Sequence, residues 1–249
     1  MSSILNTDVI VLSRKETGDS GFYLKALSPD LGLIDINARG VKKQGAKNSP
    51  ASQLFACSRM SLSLSKGRYY IDSSTVTKVF YPLRLDIRLF SLASYFAQAI
   101  IGLTTENQTA RDIYRLLANS LYMLSERGSD PEFIRFIFQM RFMGDIGFLP
   151  GLLGCDVCYE THPVMYFSIE TGRLFCREHI PADMPLREVS ASMVEALRYV
   201  CLSPIEKVFS FRLSDRARDA LAALSEDYLI YHTERKFDTL DFYKNMSHE

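Results

Sequence analysis

With 249 residues, of which 47% are hydrophobic and 23% charged, the chain has the composition of an ordinary folded protein and enough length for one large domain or two to three small ones. Its apolar segments stop well short of the roughly 20 residues that cross a bilayer, and its first residues lack the pattern of a signal peptide, so we expect a cytoplasmic protein. The formal net charge is zero, but residues 1–80 carry eleven Lys or Arg against six Asp or Glu, and the remainder carries eighteen against twenty-three. This asymmetry favours two surfaces with different partners, although chance alone could produce it.

The first 80 residues are typical of short strands separated by turns. Runs of β-branched or alternating residues predict strands at Asp8–Ser13, Phe22–Leu27 and Leu33–Arg39, with a break at Gly18–Gly21. Two further strands are joined through Ser65-Lys66-Gly67, a hairpin signal. About five strands in this length suit a small barrel, and the five-stranded OB-fold is the natural candidate, although an SH3-like barrel would give a similar pattern.

Basic residues gather at the ends of these strands and in the segment Lys42–Ser52, which we expect to be a flexible loop. Clustered Lys and Arg bind phosphate backbones, and aromatic rings such as Tyr69 and Tyr70 can stack on unpaired bases. The alternatives are a solvated charged face and, for at least one of the tyrosines, a place in the core. The candidate DNA-binding residues are Arg14, Lys15, Arg39, Lys42, Lys43, Lys47, Lys66 and Arg68.

At Tyr81-Pro82 the hydrophobic period changes to three- and four-residue steps, which indicates helices. The pattern predicts one helix through Leu103 and a second that ends before Gly128. Asp130 is placed to cap a third, largely apolar helix. After a cysteine-rich insert, the capping box Ser203-Pro204-Ile205-Glu206 predicts another helix, and Ser214 precedes the last long one.

Four metal-ligand residue types form two closely spaced pairs, Cys155 with Cys158 and Cys176 with His179. Ligands at i and i+3 can lie in one tight turn, and two such pairs complete the tetrahedron of soft donors that Zn²⁺ prefers. The residues between the pairs indicate a hairpin that turns at Glu170-Thr-Gly172, as in a zinc ribbon. Four protein ligands leave no coordination position for water, so the zinc is expected to be structural. A redox CxxC, unligated cysteines, and His162 as a substitute ligand are the alternatives.

Three segments carry a family resemblance: Ala38–Lys43 (ARGVKK), Phe133–Cys158 and Glu170–His179. Their order and spacing, from the first strand to the last helices, resemble the RecO family of bacterial recombination mediators. The resemblance implies an α+β chain with an N-terminal OB-fold, a helical domain and an inserted zinc-binding hairpin. The implied bounds are 1–80 for the OB-fold, 81–150 and 181–249 for the helical domain, and 151–180 for the insert.

The same resemblance implies binding of single- and double-stranded DNA, annealing of complementary strands coated with single-strand-binding protein, and a complex with RecR that loads the recombinase RecA. Such a protein would be associated with the nucleoid. By position, Cys155, Cys158 and Cys176 match metal ligands, and His179 stands where many relatives have a fourth Cys. The family's pocket for the acidic, apolar tail of single-strand-binding protein implies partner contacts in the helical domain. The candidates there are Arg135 and Arg141, two cations in an apolar helix.

A non-catalytic mediator is therefore the expected function. The sequence lacks a glycine-rich phosphate loop, a nucleophile elbow and an HExxH helix, so we do not expect an enzyme. The competing hypothesis is an RNA-binding or protein-scaffold module, built from an OB-fold and a zinc ribbon, that does not anneal strands.

Overall fold

The structure, a computed structural model of the chain, describes residues 4–17, 21–43, 45–106 and 108–246. The chain divides into two compact units, Met1–Gly128 with Phe237–Glu249, and Ser129–Lys236. Within the described ranges, no helix is long and apolar enough to cross a membrane.

The described residues form nine strands and six α-helices, so the α+β class is confirmed. The strands are β1 (Ile4–Thr17), β2 (Gly21–Ser28), β3 (Gly32–Ala38), β4 (Cys57–Ser65), β5 (Arg68–Lys78), β6 (Gly151–Cys155), β7 (Val164–Ser168), β8 (Arg173–Phe175) and β9 (Leu186–Ser190). The helices are α1 (Ile87–Leu103), α2 (Arg111–Glu126), α3 (Pro131–Asp145), α4 (Ala191–Leu202), α5 (Asp215–Thr233) and α6 (Asp238–Met246).

The first five strands close a barrel in the order β1-β2-β3-β5-β4. Neighbours pair antiparallel except for β3 and β5, which pair in parallel through Ile36–Tyr69 and Asn37–Tyr70. Alternate residues of each strand point inward, so that Val9, Leu24 and Leu62 belong to one buried core. The predicted OB-like barrel is confirmed. The break predicted at Gly18–Gly21 falls largely on residues 18–20, which lie outside the described part of the chain.

The segment predicted as a flexible loop, Lys42–Ser52, contains turns and the short 3₁₀ turn Pro50–Ser52 in its described residues. Its described residues form successive turns in which Ala46 N–H donates to the Lys43 carbonyl (3.0 Å) and Ser49 N–H to the Ala46 carbonyl (3.0 Å). The side chain of Asn48 also accepts a hydrogen bond from Ser74 of β5 (2.7 Å). The described residues thus pair their backbone groups locally and contact the barrel wall, whereas the flexibility of the segment stays a prediction; Gln44 lies outside the described residues.

The change of period at residue 81 is confirmed by a 3₁₀ turn, Tyr81–Arg84, followed by α1. Asp86 caps α1, because its carboxylate accepts hydrogen bonds from the backbone N–H groups of Arg88 (2.8 Å) and Leu89 (3.1 Å). Helix α1 packs against α6, with the rings of Tyr95 and Phe237 in edge-to-face contact. Helix α2 ends before Gly128, whose φ of +57° agrees with the predicted end.

In the second unit, α3 packs against α4 and α5 and is buried along most of its length. The predicted caps are confirmed: Asp130 accepts from the N–H groups of Glu132 and Phe133, and Ser214 accepts from that of Ala217. The helix predicted after Ser203 is wrong. Residues 205–209 form turns, since the carbonyl of Pro204 pairs with Lys207 N–H (2.9 Å) and the carbonyl of Lys207 with Ser210 N–H (3.0 Å), and neither bond propagates into a helix.

The cysteine-rich segment forms a four-stranded sheet in the order β6-β8-β7-β9. The predicted hairpin is present as β7 and β8, and Gly172 at its turn has a φ of +66°. Strand β9 was not foreseen; it pairs along the whole of β7 and ends at Ser190, which caps α4. The sheet therefore extends beyond the bounds 151–180 that the sequence suggests.

The two units distribute the helices differently from the three-part division expected from sequence. Helices α1, α2 and α6 belong to the unit that contains the barrel, whereas α3, α4 and α5 belong to the unit that contains the four-stranded sheet. Whether the OB-fold, the helical domain and the insert each fold as a domain stays a prediction.

Candidate functional site

Cys155, Cys158, Cys176 and His179 lie together at one end of the four-stranded sheet. Their ligand atoms are all within 4.8 Å of one another. The Sγ of Cys176 lies 3.1 Å from Nδ1 of His179 and 4.0 Å from Sγ of Cys158, and Sγ of Cys155 lies 3.7 Å from the same Nδ1. The sequence prediction that these four residues converge therefore holds in the structure.

Each ligand pair lies on a tight turn. The first turn follows β6, where Tyr159 N–H donates to the Cys155 carbonyl (2.9 Å) and Cys155 N–H donates to the Glu160 carbonyl (2.9 Å). The second follows β8 as a 3₁₀ turn, with His179 N–H donating to the Cys176 carbonyl (3.1 Å). Strands β6 and β8 are parallel neighbours in the sheet, so the turns that follow them meet at the same end of the sheet.

The donor set fits a tetrahedral metal ion. A zinc ion about 2.3 Å from sulfur and about 2.0 Å from nitrogen would separate its ligand atoms by roughly 3.5 to 3.8 Å. The three distances above bracket that range. Thiolate and imidazole ligands select zinc and other soft ions over magnesium or calcium. The cluster could therefore bind a metal ion.

The environment of the thiols favours ionisation of one of them. Burial opposes the charged form of Cys155, but backbone N–H groups of Cys158, Cys176 and Val157 point at its sulfur and lower its pKa to about 6. At Cys158 a hydrogen bond from the backbone of Glu160 favours the thiolate, yet burial and the two neighbouring thiols raise the pKa. A bound cation would offset that repulsion, because the thiolate is the form that binds metal.

His162, the alternative ligand, is not part of this cluster. Its Nε2 lies 4.0 Å from Oε2 of Glu160, and its side chain is 42% exposed. Its backbone N–H donates to the sulfur of Met165. The ligand set that the geometry supports is therefore the four residues named above.

The turn that holds the first ligand pair carries backbone strain. Tyr159, the residue after Cys158, has a φ of +63° and is 82% exposed. For a residue other than glycine this left-handed conformation costs roughly 1–2 kcal/mol. The ring offsets little of that cost, since most of it lies in solvent.

We expect Tyr159→Gly to raise the free energy of unfolding by about 1 kcal/mol, because glycine adopts positive φ without a steric penalty. Tyr159→Val should lower it by about 1 kcal/mol, because a β-branched residue tolerates this conformation least. Urea unfolding followed by circular dichroism measures both. As a control, Tyr231→Gly on helix α5 should lower the stability, because glycine is unfavourable inside a helix. If Tyr159→Gly also lowers the stability, the backbone at Tyr159 is not strained.

On the barrel, one outward-facing row crosses four neighbouring strands. Lys15 of β1 pairs with Tyr23 of β2, Tyr23 with Asn37 of β3, and Asn37 with Tyr70 of β5. Paired residues on neighbouring strands share a face, so these side chains lie side by side on the outer surface. Tyr69, one residue earlier in β5, packs against the barrel core. The two adjacent tyrosines therefore have different roles, as alternation in a strand requires.

The arginines and lysines near this row contact aromatic rings. The guanidinium of Arg39 lies 4.6 Å from the centroid of the Tyr70 ring. Arg14 and Lys42 both approach Phe22, at 4.8 Å and 5.3 Å from the ring centroid. Lys42 also forms an ion pair with Glu16 (2.9 Å), so part of its charge is neutralised within the protein.

The remaining basic candidates lie in two turns. Lys43 and Lys47 are exposed in the turns that follow β3. Lys66 and Arg68 are exposed at the hairpin between β4 and β5, where Lys66 has a φ of +50°. The charge of Arg68 also lowers the pKa of Tyr23, which burial and the nearby Asp35 raise more strongly. Arg68 is thus on the same side of the barrel as the Tyr23–Tyr70 row.

Sequence reasoning missed Tyr23 as part of this surface, and missed Phe22, which packs against the barrel core and contacts two cations at the open end of the barrel. Both are in a strand whose composition carries no binding signal. Only the strand register places Tyr23 in one row with Tyr70, with Asn37 between them, and Phe22 beside two cations. The sequence shows that Phe22 and Tyr23 alternate along a strand, but it does not show which residues of the neighbouring strands pair with them.

Arg135 and Arg141, the candidate partner contacts, both have partners inside their own unit. Arg135 is 5% exposed and forms ion pairs with Glu132 (2.5 Å) and Glu226 (2.7 Å). Arg141 donates to the carbonyls of Cys201 (2.9 Å) and Ser203 (3.0 Å). Both side chains tie α3 to neighbouring segments.

Comparison with known proteins assigns the family. The family described as recombination protein O N terminal matches residues 1–80, and recombination protein O C terminal matches residues 84–241. The chain is 28% identical over 243 residues to DNA repair protein RecO of Acetivibrio thermocellus, with 97% of each chain covered. It is 27% identical over 237 residues to the protein of the same name from Caldicellulosiruptor saccharolyticus, covering 94% of this chain and 96% of that one.

DNA repair protein RecO of Thermoanaerobacter sp. is 24% identical over 246 residues, with 98% of each chain covered. The matched families thus extend over the barrel and over the helices with their cysteine–histidine cluster, in the order in which the structure presents them. This chain belongs to the RecO family of DNA repair proteins.

Proposed function

We propose that the protein is a non-catalytic recombination mediator in DNA repair. In this role it binds single- and double-stranded DNA, anneals complementary strands, and helps to load a recombinase onto DNA coated with single-strand-binding protein. The observation that carries the proposal is a barrel whose outer face combines cations and aromatic rings, in a chain that matches the RecO family almost end to end.

The DNA site that we propose is the outer face around Tyr23 and Tyr70. Lys and Arg side chains there would neutralise phosphates, and this sequence-independent interaction suits both single strands and duplexes. The two tyrosine rings would stack on unpaired bases, which favours single strands without selecting a sequence. The candidate phosphate contacts are Arg14, Lys15, Arg39, Lys42, Lys43, Lys47, Lys66 and Arg68.

We assign zinc to the cysteine–histidine cluster, in a structural role. Three thiolates and one imidazole complete a tetrahedral site and leave no position for a water molecule that zinc would activate. Holding the turns after β6 and β8 together would stabilise the edge of the sheet. None of the proposed roles requires a bond to be made or broken, which agrees with a non-catalytic protein acting in the nucleoid of the cytoplasm.

The proposed protein partners are RecR, RecA and the acidic, apolar tail of single-strand-binding protein. The second unit has a groove of about 690 Å³ whose lining includes Tyr199, Leu202, Phe211 and Arg212. Arg212 is exposed and has no ion pair within the described residues, whereas Arg135 and Arg141 would have to exchange existing partners. We therefore favour Arg212 over those two as the contact for the tail's carboxylates.

A strand-annealing assay tests the proposed function. Complementary oligonucleotides are mixed with the protein, bare or coated with the cognate single-strand-binding protein, at low and at moderate salt. We expect annealing that persists on coated strands, weakens with salt, and falls when the coating protein lacks its tail or when the mediator carries Arg212→Glu. Failure to bind or anneal DNA at low salt would leave the RNA-binding or scaffold alternative.

A further inference from the structure

A pocket of about 350 Å³ opens beside the barrel, within the first unit. It is lined by Arg14 of β1, Gln53 and Leu54 of the segment before β4, Arg84 at the end of the 3₁₀ turn, and Phe90 in the first turn of α1. Its volume is at the low end of the range for small-molecule sites. The pocket is therefore large enough for one small planar group and its substituents.

The apolar side of the pocket is held rigidly. Phe90 is half-buried, and its ring makes an edge-to-face contact with Phe55 at a centroid distance of 5.6 Å. Phe55 has a φ of +60°, and its backbone N–H donates to the Val11 carbonyl of β1 (2.9 Å). Strained backbone of this kind persists only where the surroundings impose it. The segment Gln53–Phe55 is thus clamped to β1, and Phe90 is braced from one side.

The surface of the cavity itself is almost wholly apolar, and positive charge is supplied by the guanidinium ends of two of the lining residues. Arg14 is held against the Phe22 ring at 4.8 Å, and Arg84 is exposed at the end of its turn. Within the described residues neither guanidinium has a carboxylate partner, and the side-chain amide of Gln53 has no hydrogen bond. The lining contains no acidic residue among the residues that the structure describes. The acids closest in sequence to the two arginines are already engaged: Asp86 accepts hydrogen bonds from the start of α1, and Glu16 forms an ion pair with Lys42 (2.9 Å).

This combination suits a group with an aromatic ring, a hydrogen-bonding edge and an adjacent anion. A nucleotide has all three: Phe90 offers a surface for the base, Gln53 can donate to or accept from the base edge, and the two arginines suit the flanking phosphates. Arg14 is also one of the candidate phosphate contacts named above; it pairs with Leu24 and so lies at the open end of the barrel, next to the outer row that begins at Lys15.

We propose that this pocket receives a single unstacked nucleotide of the bound DNA strand. The proposal rests on the DNA-binding function proposed above and adds a subsite to it. A base can enter only when it is unpaired, so the subsite favours single strands over duplexes, in which the base must first leave the stack. With this subsite, the affinity for a DNA strand depends on its bases as well as on its phosphates.

The test compares binding of a 15-nucleotide thymidine strand with an abasic strand of equal length and charge, by fluorescence anisotropy on the full chain. Phe90→Leu and Gln53→Ala should each lower the ratio of the two affinities, by roughly fivefold for Phe90→Leu. Arg84→Gln should weaken both strands about fivefold near 0.1 M salt and reduce the salt slope by about 0.7. Phe242→Leu on α6 and Arg127→Gln after α2 are matched controls on exposed residues of the same unit.

The outcomes separate the subsite from the function on which it rests. If the wild-type protein binds neither strand, the DNA-binding function fails. If the wild-type protein binds but Phe90→Leu and Gln53→Ala leave the affinity ratio unchanged, the nucleotide subsite is overturned and DNA binding stands. This holds even if Arg84→Gln weakens binding of both strands, because that loss only shows that one phosphate is no longer neutralised. Gln53→Ala keeps the test decisive if Phe90→Leu lowers the melting temperature, since Gln53 is half-buried and forms no side-chain hydrogen bond in the described part of the chain.

Discussion

Replacing Cys176 with serine is expected to lower the melting temperature of the protein by roughly 10 °C and to abolish stoichiometric zinc binding. Cys176 is 3% exposed, and its sulfur is within 4.0 Å of both Cys158 Sγ and His179 Nδ1. Loss of a structural metal is among the few single changes that cost about 4 kcal/mol or more, and each kcal/mol shifts Tm by about 2–4 °C at this size. Scanning calorimetry and elemental analysis measure the two effects.

A high-affinity chelator should reproduce the shift in the wild-type protein and add little to the variant, because metal-binding energy is folding energy. Cys201→Ala is the matched control: this cysteine is also buried in the second unit but lies outside the ligand cluster. It should keep about one zinc ion per chain and lose less stability. An unchanged Tm in Cys176→Ser, with no metal in the wild-type protein, would contradict the zinc assignment.

Neutralising Arg39, Lys43 and Lys47 together with glutamine is expected to weaken binding of single-stranded DNA about 100-fold near 0.1 M salt. On a single strand, each cation that no longer neutralises a phosphate reduces the slope of log affinity against log salt by about 0.7, so the slope should flatten by about 2. The residues lie at the end of β3 and in the turns after it, where Arg39 contacts Tyr70. Fluorescence anisotropy at four or five salt concentrations measures affinity and slope.

The control is a second triple variant with the same change of net charge, Arg59→Gln with Arg111→Gln and Arg127→Gln. Arg59 and Arg111 already pair with Asp8 and Asp30, so their charges are partly neutralised. The control should bind within about threefold of the wild-type protein. Equal losses in both triple variants would mean that overall charge, and not this surface, governs binding; no loss in either would move the DNA site away from the barrel.

Much of the fold could be predicted because its signals are local. The caps at Asp130 and Ser214 are side-chain hydrogen bonds to backbone groups two or three residues away, and the structure confirms both. The failure after Ser203 shows the limit of such signals. A capping box favours the start of a helix but does not supply the apolar face that keeps one, and there the chain forms only turns.

The barrel surface could be predicted only in part, because its membership depends on strand register. Composition identified the basic residues, but a register shift of one residue would turn every side chain to the other face. Only the pairing of β2, β3 and β5 places Tyr23 and Tyr70 in one outward-facing row, on either side of Asn37, and turns Tyr69 toward the core. The pocket at Phe90 draws on four segments that are far apart in sequence, and no local pattern marks it.

By itself the sequence determined the metal cluster, the OB-like barrel and the switch to helices at residue 81. Each depends on spacing within a turn, a strand or a helix, where the geometry of the backbone is fixed by neighbouring residues. The tertiary structure alone decided that α1, α2 and α6 join the unit of the barrel, that β9 completes the sheet at β7, and which aromatic rings meet which cations. These features depend on which apolar faces bury one another, and that choice is made between segments distant in the chain.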